Sequence, residues 1–182
     1  MQVLLPEVYY KVLILISGFG SNVPVLIGSI LFASLVLFFL KFRREGLLIL
    51  LTPLSYFYSL LLKDVFKVAR PFGGPDIHVR FAPDIYGFPS SHVIIYTVFF
   101  GYLLYLTFSL KENFNKVLLW LLRFIFIFFL LGVGLSRYEL LYHSIWDVLG
   151  GYFFGAIYLF SLVYFSKPSK KGGKTYQKSA PK

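Results

Sequence analysis

Val117-Leu118-Leu119-Trp120-Leu121-Leu122-Arg123-Phe124-Ile125-Phe126-Ile127-Phe128-Phe129-Leu130-Leu131-Gly132-Val133-Gly134-Leu135 carries one charge, Arg123. About 20 apolar residues cross a bilayer as a helix. A segment inside hydrocarbon must satisfy its own backbone polar groups, which a helix does. Four more runs have nearly this length: residues 23–40, 46–62, 93–110 and 145–165. The chain has 182 residues, 58% of them hydrophobic, with 22 Phe and 14 Tyr. Five such runs leave too little polar surface for a soluble fold. The fold class read here is all-α: a polytopic transmembrane helical bundle of about five spans.

Outward from those runs, residues 1–21 contain Tyr9-Tyr10-Lys11-Val12-Leu13-Ile14-Leu15-Ile16. This is too short to span, and its Tyr and Lys flanks suit a helix lying at the interface. Pro53 falls inside the second run, where it kinks the helix or leaves a carbonyl for a neighbouring helix to satisfy. Lys41-Phe42-Arg43-Arg44-Glu45 and Lys111-Glu112-Asn113-Phe114-Asn115-Lys116 are short basic turns, which mark the cytoplasmic side. Arg123, near the inner end of its run, is expected to snorkel. Residues 167–182 hold Lys, Ser, Gly and Pro without an apolar run, and read as a basic disordered cytoplasmic tail beside one membrane domain over residues 1–166. The net charge of +10 gathers at run ends and in this tail. That distribution fits membrane topology and anionic lipid rather than nucleic acid. The absence of cysteine excludes disulfides, thiolate catalysis and cysteine metal sites.

With that topology Lys63, Arg70, His92, Arg137 and His143 converge on the outer side, delivered by three separate segments. Lys63, Lys67 and Arg70 are spaced as one helical stripe of three cations, stopped by Pro71. They form either a snorkelling basic belt or an anion site. Residues 72–89 read as a loop, in which His78, Arg80 and Asp84 are solvated residues. Ser90 and Ser91 start the third run, as a plain helix cap or as an oxyanion cradle at a helix N-terminus carrying His92 as proton donor. Arg137 falls in an expected loop and offers a planar fork to an oxyanion. His143 and Asp147, four apart, share one face of a helix, where the carboxylate fixes the imidazole's tautomer and raises its basicity. Phosphoryl transfer needs its equatorial oxygens neutralised, an in-line nucleophile and a donor for the leaving oxygen. Lys63, Arg70 and Arg137, with Ser90 and the Ser91 N–H, suit the first task, His143 the second and His92 the third. No metal or other cofactor is expected, since cations supply the charge and carboxylates are too few for a Mg²⁺ cage.

The pattern Lys63-x6-Arg70-Pro71, then Pro89-Ser90-Ser91-His92, then Ser136-Arg137-x5-His143-x3-Asp147 resembles the three-part signature of the type 2 phosphatidic acid phosphatase superfamily. The resemblance implies a phosphohistidine intermediate on His143, His92 as general acid and Asp147 orienting His143. It assigns Lys63, Arg70, Ser90, Ser91 and Arg137 to phosphate. Ser91 departs from the pattern, standing where glycine is usual; serine keeps the N–H and adds a Cβ and a hydroxyl. The implied protein is a lipid phosphatase of a bacterial inner membrane acting on the outer face. Lipid A 1-phosphate is slightly favoured as substrate over phosphatidylglycerol phosphate and undecaprenyl pyrophosphate. Transfer to a lipid acceptor and non-catalytic lipid binding are the alternatives. The expected partners are the bilayer and its lipids, and the bundle suits a monomer or a pair.

Overall fold

The apolar runs become helices, joined at corners where capping and proline chemistry end the backbone ladder. The computed structural model describes residues 6–70, 85–111 and 114–166. Its helices are α1 Glu7–Ser21, α2 Val23–Phe39, α3 Arg43–Ile49, α4 Leu54–Phe66, α5 Ser91–Ser109, α6 Lys116–Glu139 and α7 Ile145–Ser166. The expected basic tail, His78, Arg80, Asp84 and Pro71 lie outside the described residues. The chain is a multi-pass, all-α membrane protein. Arg43–Phe66 (α3 with α4), α5, α6 and α7 are each long and apolar enough to cross a bilayer. α1 and α2 meet at a 74° bend and make a fifth crossing if counted together. The corner is Asn22, extended at φ −85° and ψ 91°, whose side chain accepts from Val25 N–H while Pro24 occupies the first turn of α2.

α5 is the axis of the bundle, with thirteen of its nineteen residues buried. Around it the other helices turn large apolar side chains outward, such as Trp120, Phe124, Phe153 and Phe160. Lipid tails are as apolar as these side chains, so close packing rather than the hydrophobic effect holds the helices together. Gly151 and Gly155 on α7 supply that closeness. A Cβ at Gly151 would stand 2.7 Å from the Cβ of Val93, and one at Gly155 would stand 2.7 Å from the Cβ of Thr97.

Pro53 does more than kink its run: helix stops at Ile49 and restarts at Leu54. The Ile49 carbonyl, which Pro53 cannot bond, accepts from Thr52 N–H at 3.0 Å, and the Leu51 carbonyl accepts from Leu54 N–H (3.1 Å) and from the Tyr158 hydroxyl of α7 (2.9 Å). Arg123 does not simply snorkel. It donates to the Thr107 hydroxyl (3.1 Å) and carbonyl (2.9 Å) and lies 4.0 Å from the Phe108 ring centroid. That pairing lets a cation sit on an apolar helix face. Arg43, Arg44 and Glu45 form the first turn of α3 rather than a free turn.

Candidate active site

Four chain segments build one polar cluster at the end of the bundle where α4 and α6 stop and α5 and α7 begin. α4 ends at Phe66 because Lys67 adopts the left-handed conformation (φ 50°), which terminates a helical ladder. The three-cation stripe is therefore not formed. Lys63 lies on α4, Lys67 turns out to an exposed ion pair with Asp64 (3.7 Å), and Arg70 lies beyond the helix. Lys63 is only 1% exposed, and its ammonium donates to the Tyr86 carbonyl. A lysine so buried is not a snorkelling residue. An Ala69–Tyr86 bridge and a 2.8 Å bond from Gly87 N–H to the Val68 carbonyl clamp this segment against the approach to α5. Phe66, Phe88 and Phe154 pack edge to face and tilted at 5.0–6.2 Å, fixing that approach between α4 and α7.

Ser90 occupies the N-cap of α5, yet its side chain makes no cap bond. Its N–H donates 3.0 Å to the Asp147 carbonyl. Its fully buried hydroxyl has no hydrogen-bond partner among the described residues. A buried hydroxyl held at a helix N-terminus and left unsatisfied is suited to an incoming oxyanion. Ser91, where the resemblance expects glycine, is the first residue of α5, in a helical backbone that any residue adopts. Its hydroxyl bonds Ser59 at 2.9 Å, and its Cβ is thereby accommodated.

Arg137 is not in a loop. α6 continues to Glu139, so Arg137 sits in its last turn, where a cation complements the helix dipole. It is buried, donates 2.8 Å to the Ser17 hydroxyl, and stacks 4.2 Å from the Tyr142 ring centroid. The chain then reverses through Leu141 (φ 59°), so that the Arg137 carbonyl accepts from both Tyr142 and His143 N–H at 3.1 Å.

His143 and Asp147 approach each other, but not across a helix face. His143 precedes α7, and Ser144 and Asp147 form a reciprocal cap at its start. Asp147 Oδ2 accepts from Ser144 N–H (2.8 Å), and Asp147 N–H donates to the Ser144 hydroxyl (3.2 Å). The same Oδ2 lies 3.6 Å from His143 Nδ1, longer than a hydrogen bond, so this buried nitrogen has no hydrogen-bond partner among the described residues; catalytic contacts are often this long without substrate. Burial holds the His143 imidazole down to about 4; Asp147 opposes this, while Arg137, Lys63 and Arg70 add to it. The ring is thus neutral at pH 7, with Nε2 as the nitrogen that does not face Asp147.

A cavity of about 530 Å³ joins these groups. Lys63, Arg70, Ser91, His92, Arg137 and His143 line one part, and Val23, Leu26, Ile27, Ile30, Phe57 and Ile95 line the rest. Three cations converging on a void beside a neutral buried imidazole are the electrostatics of an oxyanion site.

A family model described as the PAP2 superfamily matches residues 44–171. The chain belongs to this superfamily. Among solved structures, it is similar to the crystal structure of the first transmembrane PAP2 type phosphatidylglycerolphosphate phosphatase from Bacillus subtilis. The TM-score is 0.71 and the identity 22%, over 90% of this chain and 79% of that one. At that identity the likeness is one of fold. No curated protein matches.

In this PAP2 superfamily member, the three stretches that resemble the family signature lie on α4 and the segment after it, on the start of α5, and across the α6–α7 turn. Sequence reading missed the residues that hold these motifs in place: Ser17 under Arg137, Ser21 at His92, Tyr86 over Lys63 and Ser144 beside Asp147. Three carried a readable signal. Ser144-x-x-Asp147 is a capping-box spacing, and Ser17 and Ser21 are an i, i+4 polar pair in an apolar segment. The Tyr86 carbonyl is a backbone group and had none.

Proposed function

We propose that this chain is a metal-independent lipid phosphatase that works through a phosphohistidine on His143, on the outer face of a bacterial cytoplasmic membrane. The observation that carries the reading is the shared cavity: a neutral imidazole backed by a carboxylate, three cations, and apolar walls open to helices that face lipid. Lys63, Arg70, Arg137, the Ser90 hydroxyl and the Ser91 N–H hold the phosphate oxygens, and the apolar wall takes the first part of the lipid chain. His143 Nε2 attacks phosphorus as the ester P–O bond breaks. His92 gives its proton to the leaving oxygen, and the lipid alcohol departs. Water then loses a proton to His92 and attacks phosphorus. The P–N bond breaks, inorganic phosphate leaves and both imidazoles are restored. Asp147 holds Nδ1–H through both steps and stabilises the charge that forms on the ring.

The substrate is a phosphomonoester or pyrophosphate on a lipid headgroup. The basic ends at Lys41, Arg43, Arg44, Lys111 and Lys116 lie at the opposite end of the spans from the site, which supports the outer placement. The test is phosphate release from detergent-dispersed lipid A, phosphatidylglycerol phosphate, phosphatidic acid and undecaprenyl pyrophosphate, with chelator present and His143→Ala alongside. Release from at least one lipid that survives chelation and falls at least a hundredfold in the variant is expected. Release abolished by chelation, or unchanged in His143→Ala, overturns the reading.

A further inference from the structure

α1 lies outside the matched residues 44–171, yet its last turn reaches both sides of the catalytic cluster. The Ser21 hydroxyl lies 3.0 Å from His92 Nε2 and 3.1 Å from the Ser17 carbonyl. The Ser17 hydroxyl accepts from Arg137 at 2.8 Å. The contact is built rather than incidental. Fully buried Tyr96, one turn along α5 from His92, places its hydroxyl between Gly20 N–H (2.9 Å) and the Ile16 carbonyl, groups that an uninterrupted helix bonds to each other. At Gly20 a Cβ would stand 2.5 Å from Cε2 of Tyr96 and 3.1 Å from Cδ2 of His92. Only glycine lets α1 come this close.

We propose that Ser21 is a positioning residue for the proton donor of the phosphatase reaction, and that α1 is thereby part of the catalytic apparatus. The inference rests on the reading of His92 as general acid given above. The Ser21 hydroxyl points its hydrogen at the Ser17 carbonyl and so meets His92 as an acceptor. Nε2 then carries the hydrogen, the ring is held in one orientation, and Nδ1 is the nitrogen that delivers a proton to the leaving oxygen. Lys63, Arg70, Arg137 and His143 face His92 across the cavity, and all of them are cations or imidazole. These cations disfavour a protonated ring before substrate binds; the substrate's phosphate, bound among them, offsets their charge, and Ser21 is the neutral acceptor on the remaining side that keeps the protonated ring in place.

A general acid matters in proportion to how poorly the leaving group departs. Dodecyl phosphate expels an alkoxide and needs the proton, whereas p-nitrophenyl phosphate expels a stable phenolate and does not. The experiment measures kcat/KM of the full-length protein in detergent on both esters, for wild type, Ser21→Ala, Ser21→Thr, His92→Ala and His143→Ala. Ser21→Ala is expected to fall roughly tenfold on dodecyl phosphate, a part of the 10²–10⁴-fold typical of the acid itself, and to change little on p-nitrophenyl phosphate. His92→Ala shows the same preference more strongly, and Ser21→Thr, which keeps the hydroxyl, restores the wild-type ratio. Ser21→Ala matching wild type on dodecyl phosphate, or losing both esters equally, overturns the proposal. His92→Ala judges the underlying reading separately: equal loss on both esters there removes His92 as the acid, whereas His143→Ala loses both esters if His143 is the nucleophile, and retained activity there would remove the phosphohistidine itself.

Discussion

His143 is buried at the turn between α6 and α7, and its environment sets how the reaction responds to acid. An ordinary histidine titrates near 6.5. Burial and the surrounding cations hold this one down to about 4. In the proposed reaction the nucleophile is the neutral ring, so a lowered pKa keeps it active as pH falls, and the loss comes only as pH approaches 4. In His92→Ala, where the proton donor's own titration is removed, kcat/KM per phosphate dianion is expected to stay flat from pH 7 to about 5; a limb near 6.5 there contradicts the assignment. The types and order of the site residues were legible in the sequence because charge among long apolar runs is conspicuous. Their local geometry was not. Ser136-Arg137-Tyr138-Glu139 is polar enough to read as loop, although α6 continues through it. The His143 and Asp147 spacing reads as a helix face because a capping turn brings the same two positions together.

Elements are joined by small residues, and the site inherits its precision from that packing. Gly151 on α7 lies against Val93 and is 3.0 Å, by its absent Cβ, from the carbonyl of Ser90. Gly151→Ala is therefore expected to cost about 1–3 kcal/mol, the usual range for overpacking, and to lower activity by displacing Ser90. Gly18, helical and with nothing within 4 Å of its Cβ position, is the control: Gly18→Ala is expected to be no less stable than wild type, and to gain up to about 1 kcal/mol from helix propensity. Thermal unfolding in detergent, read beside activity, separates the two. The spans at residues 93–110, 117–135 and 145–165 were legible to within a few residues because hydrocarbon imposes their length. The break at Pro53 was legible as a disturbance and not as two helices. Local turn bonds close it, and a further bond comes from Tyr158, more than a hundred residues away, which no local pattern reveals.

At the scale of the whole molecule, the helices carry one polar cluster to one end and the basic turns to the other. With no native cysteine, single cysteines report this directly. In intact cells Asp64→Cys is expected to react with a membrane-impermeant maleimide, and Lys111→Cys only after lysis; the reverse pattern would place the site inside. In the proposed reaction the lipid's phosphate passes through His143. The most direct measurement is a rapid acid-free quench of wild type and His143→Ala after mixing with phosphatidic acid labelled in its phosphate. Label is expected on the wild-type chain that survives alkali and is lost in acid, with none on His143→Ala. Phosphate release without any such label, or equal label on the variant, would contradict it.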